Sequence, residues 1–183
     1  MQPNQQDSAQ KTWESRLCPT CGLCCNGVLF RDVELTKADS TLALQEAGLR
    51  LRKLKGKPGF TQPCSCFDGR FCTAYEHRPI RCKSFDCHTL KQLKAGSIDE
   101  ATALKRIRKA QIRVRKVEAL LRSQGNHDEL LPLTARYRSV MRQPIDLSQG
   151  EEGVETRAEL MLQVNDLMHQ LHREFLSRED VEE

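Results

Sequence analysis

The clearest hydrophobic pattern lies in the second half of the chain, where apolar residues recur every three or four positions. This stripe consists of Leu104, Ile107, Ala110, Val114, Val117 and Leu121. Such spacing places the side chains on one face of an α-helix. Ser97 and Glu100 form a capping box and Gly125 is a typical stop residue, so we predict a helix over residues 97 to 124.

Two more helices are predicted further along. Residues 133 to 141 have a short helical pattern that Pro144 ends, and residues 154 to 177 have a long one. In the last helix we expect an inward face made of Ala158, Met161, Met168, Leu171 and Phe175. Residues 97 to 178 should therefore form a helical bundle, followed by an acidic tail at residues 179 to 183.

The first half of the chain has shorter elements. Residues 28 to 35 are rich in apolar and β-branched side chains, which predicts a short strand. Thr36 and Asp39 have the spacing of a helix start, so a short, interrupted helix is predicted over residues 40 to 54. Residues 55 to 59 should form a loop.

A β-hairpin is predicted over residues 62 to 75, and its register bears on the cysteines. A two-residue turn would send Cys64 and Cys72 to opposite faces. A three-residue loop over residues 67 to 69 would place them opposite each other, with Cys66 on the same face. We favour the second register, because it lets both flanking thiols reach one metal ion.

Composition indicates a soluble, globular protein of one domain or two small ones. Residues 1 to 12 are polar, are expected to be disordered, and lack the apolar core of a secretory signal. No run approaches the roughly 18 apolar residues that span a bilayer, so no membrane association is expected. We therefore expect a cytoplasmic protein, in which thiols are kept reduced.

All nine cysteines lie in the first half of the chain, in two groups. The first group is Cys18, Cys21, Cys24 and Cys25; the second is Cys64, Cys66, Cys72, Cys82 and Cys87. An odd count, an adjacent pair and the expected compartment argue against a disulfide scaffold. Free core thiols would be scattered at hydrophobic positions instead of spaced in turns. Metal ligation is the better explanation.

The metal is constrained by ligand type. Thiolates are soft ligands that suit zinc, iron or iron–sulfur centres and suit calcium or magnesium poorly. Eight or nine sulfurs exceed one tetrahedral site, so either two metals are bound or some thiols are not ligands. The close spacing of the first group resembles part of a bacterial ferredoxin run, which favours iron. Adjacent Cys24 and Cys25 could serve two neighbouring centres.

Nearby cations fit an anionic centre. Four thiolates around one Zn²⁺ leave a net charge near −2, which neighbouring cations must offset. The candidates among the second cysteine group are Arg70, Arg78, Arg81 and Lys83. These residues could equally be ordinary surface charges.

The motifs resemble a known family. The first cysteine group is followed by Cys64-x-x-Phe67-Asp68, by Cys72-Thr-Ala-Tyr75-Glu-His-Arg78-Pro79-Ile-Arg-Cys82 and by Cys87. This order is similar to the CxxCxxCC-type zinc- or iron-chelating domain of the YkgJ-like cysteine-cluster proteins, over about residues 15 to 90. The resemblance implies eight metal ligands: Cys18, Cys21, Cys24, Cys25, Cys64, Cys72, Cys82 and Cys87.

Two positions depart from the family pattern. Cys66 stands where an apolar residue is more usual, and Lys83 stands where arginine is common. A similar cysteine domain occurs in flagellin lysine N-methylases, which implies that an enzymatic setting is open. The chain after residue 89 matches no known pattern, so that activity is not carried over.

Histidines and the basic helix are further candidate binding sites. His77 and His88 neighbour cluster cysteines and are candidate ligands, whereas His169 and His172 are expected to be solvated. The basic face of helix 97 to 124 could bind nucleic acid. Residues 151 to 183 hold ten acidic and three basic side chains that would neutralise this face, so nucleic-acid binding is not expected.

Together these patterns predict an α+β protein. A small, irregular, metal-organised cysteine domain with a short β-hairpin occupies residues 13 to 90, and a helical bundle follows. The expected function is thiolate binding of one or two zinc or iron centres, with an iron–sulfur cluster as one form. A metal-dependent enzyme of the methyl- or electron-transfer type, and an interaction module using helix 97 to 124, are the alternatives; any protein partner is unknown.

Overall fold

A computed structural model of the chain describes residues 12–145 and 150–177. Its elements in chain order are α1 (Trp13–Cys21), β1 (Asp32–Glu34), α2 (Thr41–Glu46), β2 (Arg52–Leu54), β3 (Lys57–Thr61), a 3₁₀ turn (Tyr75–His77), α3 (Ile80–Ser84), α4 (His88–Lys94), α5 (Glu100–Ser123), α6 (Leu133–Arg142) and α7 (Gly150–Glu174). The predicted α+β class is confirmed. The predicted polar segment before residue 12 and the acidic tail at 179 to 183 lie outside the described residues.

The helical half is built on the packing of α5 against α7. Five members of the predicted α5 stripe are buried and Leu104 is half-buried. The helix begins at Glu100 instead of Ser97, because Asp99 is the N-cap and its side chain accepts a 2.8 Å hydrogen bond from the amide of Thr102. None of the helices in the described residues is long and apolar enough to cross a membrane.

The inward face of α7 differs from the prediction. Leu171 and Phe175 are buried and Met168 is half-buried as expected, but Ala158 and Met161 are exposed. The buried positions are Gly153, Arg157, Leu160, Leu167, Gln170, Leu171 and Phe175.

Two polar residues account for this difference. Arg157 is buried because its guanidinium donates hydrogen bonds to the carbonyl of Val140 and to the side chain of Gln124, both at 3.0 Å. Gln170 is also buried with hydrogen-bonding partners. A count of apolar positions alone therefore misplaced the inward face in the N-terminal half of the helix, at Ala158 and Met161.

A three-stranded antiparallel sheet has the order β1-β3-β2. Its hairpin joins β2 to β3 through a tight turn at Lys55 and Gly56, which have φ values of 48° and 86°. The sequence predicted the end of a helix and a loop at these positions. The helix instead stops at Glu46, and residues 52 to 61 form the hairpin. The first strand is shorter than predicted and covers only Asp32–Glu34.

The hairpin predicted over residues 62 to 75 does not form as two strands. An isolated bridge pairs Phe67 with Cys72, so the connecting loop has four residues and Cys64 does not lie opposite Cys72. The predicted register is therefore wrong. Asp68 provides the physical reason, because its Oδ1 accepts two amide hydrogen bonds within the loop, at 2.6 and 2.8 Å, and holds a longer turn than Gly69 alone would indicate.

Two hydrophobic cores lie side by side. The larger core contains buried residues of α1, of α4 to α7 and of the loop after α1. The smaller core lies around the sheet and α2 and consists of Leu35, Leu44, Leu49, Phe60, Cys66 and Ala74. Five of the other eight cysteines pack against one of these cores: Cys21 and Cys87 against the larger core, and Cys64, Cys72 and Cys82 against the smaller one.

Candidate metal centre

Helix α1 and the turn after it position the first cysteine group. Cys18 and Cys21 are three residues apart on a helix, so they lie on one face. The helix ends at Gly22, which has φ 68° and donates its N–H to the carbonyl of Cys18 at 3.0 Å. The amide of Cys25 then donates to the carbonyl of Gly22 at 2.9 Å. The chain therefore turns back and keeps Cys24 and Cys25 beside the end of α1.

The second cysteine group is tied to this turn by backbone contacts. The amide of Cys64 donates to the carbonyl of Cys25 at 2.9 Å. Cys82 lies on the short helix α3, and Cys87 occupies the N-cap position of α4. Helix α4 packs against α1, which brings Cys87 to the part of the molecule that holds Cys18.

The eight cysteines that the family resemblance implies as ligands all line one cavity of about 1550 Å³. Cys66 does not belong to the lining. It is 1% exposed within the smaller core, and its thiol donates to the carbonyl of Ala47 at 3.5 Å. His77 is exposed and His88 half-buried, and neither lines the cavity. The geometry thus separates these three residues from the eight thiols.

Burial favours the protonated form of the cavity thiols. Burial, together with nearby thiols of the second group, raises the pKa of Cys25 to about 12. The same two causes raise the pKa of Cys82 to about 12, against the opposing effect of Arg78. Burial raises the pKa of the deeply placed Cys24 well above its ordinary value. A bound metal ion would displace these protons, because only thiolates coordinate.

The donor chemistry of the cavity fits zinc or iron. All eight candidate donors are sulfurs, which is the donor type these metals accept and magnesium and calcium do not. Within residues 12–145 and 150–177, no group of three or more His, Cys, Asp or Glu side chains is already arranged to hold a metal ion. Coordination would therefore require the cysteine sulfurs to lie closer to one another than in this arrangement.

Carboxylates on the cavity wall already have cationic partners. Asp32 pairs with Arg31 at 2.6 Å, and Glu34 pairs with Lys57 at 3.1 Å. Glu14 pairs with Lys94. These three carboxylates are engaged in ion pairs, so they are poorer candidates for metal ligands than the thiols.

The cavity wall is strongly cationic. Among the described residues, its lining includes three carboxylates and nine basic residues: Arg31, Arg52, Lys53, Lys55, Lys57, Arg70, Arg78, Arg81 and Lys83. Four of these, Arg70, Arg78, Arg81 and Lys83, are the cations that lie among the second cysteine group in the sequence. Such a wall suits the negative charge that thiolates leave around a divalent ion.

Arg78 has the most specific placement of these cations. Its guanidinium lies 3.9 Å from the ring centroid of Tyr75, and its Nε donates to the carbonyl of Tyr75 at 3.2 Å. Arg78 opposes the increase in the pKa of Cys18, Cys72 and Cys82 that burial causes. The Tyr75-x-x-Arg78-Pro79 motif therefore holds a positive charge over thiols from both cysteine groups.

The basic face of α5 is partly engaged by its neighbours. Lys116 pairs with Glu159 of α7 at 2.8 Å, and Arg113 donates to Gln170 of α7 at 2.7 Å.

His169 and His172 are exposed on α7.

The comparison with known families agrees with this site. Residues 17–112 match the family model CxxCxxCC, described as "Putative zinc- or iron-chelating domain". This match covers more than half of the 183 residues, and the chain therefore belongs to that family. Membership supports metal binding and does not distinguish zinc from iron. No match was found among curated proteins or among solved structures.

Proposed function

We propose that this protein binds zinc or iron through the thiolates of eight cysteines: Cys18, Cys21, Cys24, Cys25, Cys64, Cys72, Cys82 and Cys87. One observation carries the proposal. These eight side chains come from two segments separated by about forty residues and line a single cavity, while the ninth cysteine lies in a core beside it.

The bound metal acts first as a structural element. It cross-links the turn after α1 to the segment that carries α3 and α4, and so joins the two cores. Because an unfolded chain has no preformed site, the free energy of metal binding becomes free energy of folding. The smaller core has only six buried members, so this contribution matters most there.

The test is purification without oxygen, followed by elemental analysis and absorption spectroscopy. Brown protein with iron and acid-labile sulfide would assign an iron–sulfur centre, and colourless protein with stoichiometric zinc would assign a zinc site. A chelator should then lower the Tm of the loaded protein. Protein without metal, or an unchanged Tm after complete metal removal, would contradict the proposal.

A metal-dependent enzyme is the second candidate, favoured by the size and charge of the cavity. About 1550 Å³ exceeds the space that thiolate-bound ions fill, and the cationic wall suits an anionic substrate. Such an enzyme keeps a coordination position open. Addition of cyanide to the cobalt-loaded protein should then shift its absorption spectrum, whereas a closed all-cysteine site should not respond.

A further inference from the structure

We infer that the eight thiols form two separate four-sulfur sites, and that the adjacent residues Cys24 and Cys25 belong to different sites. Site A consists of Cys18, Cys21, Cys24 and Cys87, and site B consists of Cys25, Cys64, Cys72 and Cys82. This inference rests on the proposed metal-binding function and adds the number of centres and the ligands of each.

The backbone assigns Cys25 to the second segment. Its carbonyl accepts the amide hydrogen bond of Cys64 at 2.9 Å, so these two residues are held side by side. Cys24 and Cys25 lie in the turn that follows α1, where the chain bonds back to Gly22. Successive side chains in a helical turn diverge by about 100°, so adjacent thiols face different directions.

Packing divides five further cysteines in the same way. Cys21 and Cys87 pack against the larger core, whereas Cys64, Cys72 and Cys82 pack against the smaller one. Cys82 and Cys87 are only five residues apart, yet they pack against different cores.

The chain between those two cysteines crosses from one core to the other. After α3, Phe85 adopts an extended conformation, and its ring packs edge-on against Phe30 with centroids 4.9 Å apart. This contact supports the crossing, which leaves Cys82 beside the smaller core and Cys87 beside the larger one.

Helix geometry places Cys18 in site A. It lies three residues before Cys21 on one face of α1, and the packing of α4 against α1 brings Cys87 to the same part of the molecule.

Cys66 is the competing donor for site B. It interacts with both Cys64 and Cys72. Its sulfur, however, is directed at the carbonyl of Ala47 and lies outside the cavity lining. We therefore assign Cys66 to the smaller core and Cys25 to site B.

Cobalt(II) added to the metal-free full-length protein provides the test, because its sulfur charge-transfer absorption counts thiolate-bound ions. Wild-type protein should bind two Co²⁺ per chain. Cys24→Ser and Cys25→Ser should each lose one, and Cys66→Ala, the matched control, should keep both.

Double variants distinguish two sites from one shared cluster. Cys24→Ser with Cys87→Ser removes two ligands from site A and should still bind one Co²⁺. Cys24→Ser with Cys82→Ser removes one ligand from each site and should bind none tightly. Equal behaviour of the two double variants would overturn the division, and so would a wild-type stoichiometry of one. Failure of the wild type to bind any metal would instead contradict the proposed function itself.

A measurement on the wild-type protein covers the case in which the serine variants do not fold. The loaded protein is treated with a chelator in steps, alkylated at each step and analysed by mass spectrometry. Two sites predict that cysteines become reactive in two sets of four, with the members given above. Release of all eight together, or in other groupings, would contradict the inference.

Discussion

Oδ1 of Asp39 accepts a 2.9 Å hydrogen bond from the amide of Ile80, which lies 41 residues further along the chain. Its Oδ2 accepts hydrogen bonds from the amide and the hydroxyl of Thr36, both at 2.8 Å. Ile80 is the first residue of α3, the helix that carries Cys82. Asp39 therefore caps a cysteine-bearing helix from a distant segment and ties that helix to the turn at Thr36.

Asp39→Ala should lower the free energy of unfolding by about 1–2 kcal/mol, because two backbone amides lose their acceptor. Asp39→Asn, which keeps one acceptor oxygen, should have a smaller effect. Urea unfolding of each protein in the same metal state measures both changes. An equal loss of stability for Asp39→Asn and Asp39→Ala would show that an acceptor oxygen at this position is not sufficient for the capping contact.

The same contact predicts a pH dependence. Partial burial disfavours the ionised carboxyl, but the hydrogen bonds from Ile80 and Thr36 outweigh it and lower the pKa of Asp39. A lowered folded-state pKa gives stability that is complete above the unfolded value of about 3.9 and is lost as the pH falls through the folded value. The advantage of wild type over Asp39→Ala should therefore shrink below about pH 4. A constant difference between pH 7 and pH 3 would contradict this.

Gly22 allows the ring of Phe67 to approach the backbone more closely than any residue with a Cβ would allow. A Cβ there would lie 2.8 Å from Cζ of Phe67, and φ is +68°. Gly96 has almost the same φ, +69°, with no atom within 4 Å of the added Cβ. Gly96→Ala should cost about 1–2 kcal/mol from the left-handed conformation alone. Gly22→Ala should cost more, since the ring of Phe67 must also move.

A double variant separates the two contributions. Adding Phe67→Leu to Gly22→Ala should cost less than the sum of the single changes in urea unfolding, because the shorter side chain relieves the contact. Adding Phe67→Leu to Gly96→Ala should be additive. Additivity in both pairs would show that Phe67 does not constrain Gly22.

The helices of the second half could be predicted where the pattern is local. The stripe on α5 is purely apolar, so its face was predicted correctly. On α7 the buried Arg157 and Gln170 depend on partners in other elements, and no local pattern reveals such partners. The hairpin near Cys64 failed for a similar reason, because the acceptor role of Asp68 fixed the loop length.

The candidate metal site, too, could be predicted from the sequence only where the signal is local. Spacing and family resemblance gave the eight candidate cysteines and set Cys66 apart. The assignment of Cys87 and Cys82 to different cores depends on the contact between Phe30 and Phe85, which joins segments 55 residues apart. The contact of Arg78 with Tyr75 was also missed, although the Tyr-x-x-Arg-Pro element was the signal for it.

Gln170 joins α5 to α7 from a buried position. It is 1% exposed; its Oε1 accepts from Arg113 at 2.7 Å, and its Nε2 donates to Glu174 at 2.7 Å. Gln170→Leu has a similar volume but removes these two hydrogen bonds and a third, from Nε2 to the carbonyl of Arg106 at 3.2 Å, so the free energy of unfolding should fall by about 1–3 kcal/mol.

Gln163→Leu is the matched control for this change. Gln163 lies on the same helix, is half-buried, and its Nε2 donates a hydrogen bond to Glu159 at 3.0 Å. Its replacement should change stability by less than about 0.5 kcal/mol in urea unfolding. If Gln170→Leu and Gln163→Leu lost equal stability, the buried hydrogen bonds of Gln170 would not be the cause.

Arg78 and Arg70 test whether the cationic wall contributes to metal binding. Both line the cavity and both lie over an aromatic ring, Arg78 over Tyr75 at 3.9 Å and Arg70 over Phe71 at 4.8 Å. The charge of Arg78 acts on thiols of both cysteine groups, whereas that of Arg70 acts on the carboxylate of Asp68. Loss of the Arg78 charge should therefore disfavour the thiolates that hold the metal.

Arg78→Gln should weaken metal affinity by about 10- to 100-fold, the usual effect of removing a group that supports metal ligands. Competition with a chromophoric chelator measures this affinity. Arg70→Gln should leave the affinity close to that of wild type. Arg78→Lys keeps the charge but loses the planar stacking on Tyr75, so its affinity should fall between the two. If Arg70→Gln weakened binding as much as Arg78→Gln, the effect would come from the overall charge of the cavity and not from the placement of Arg78.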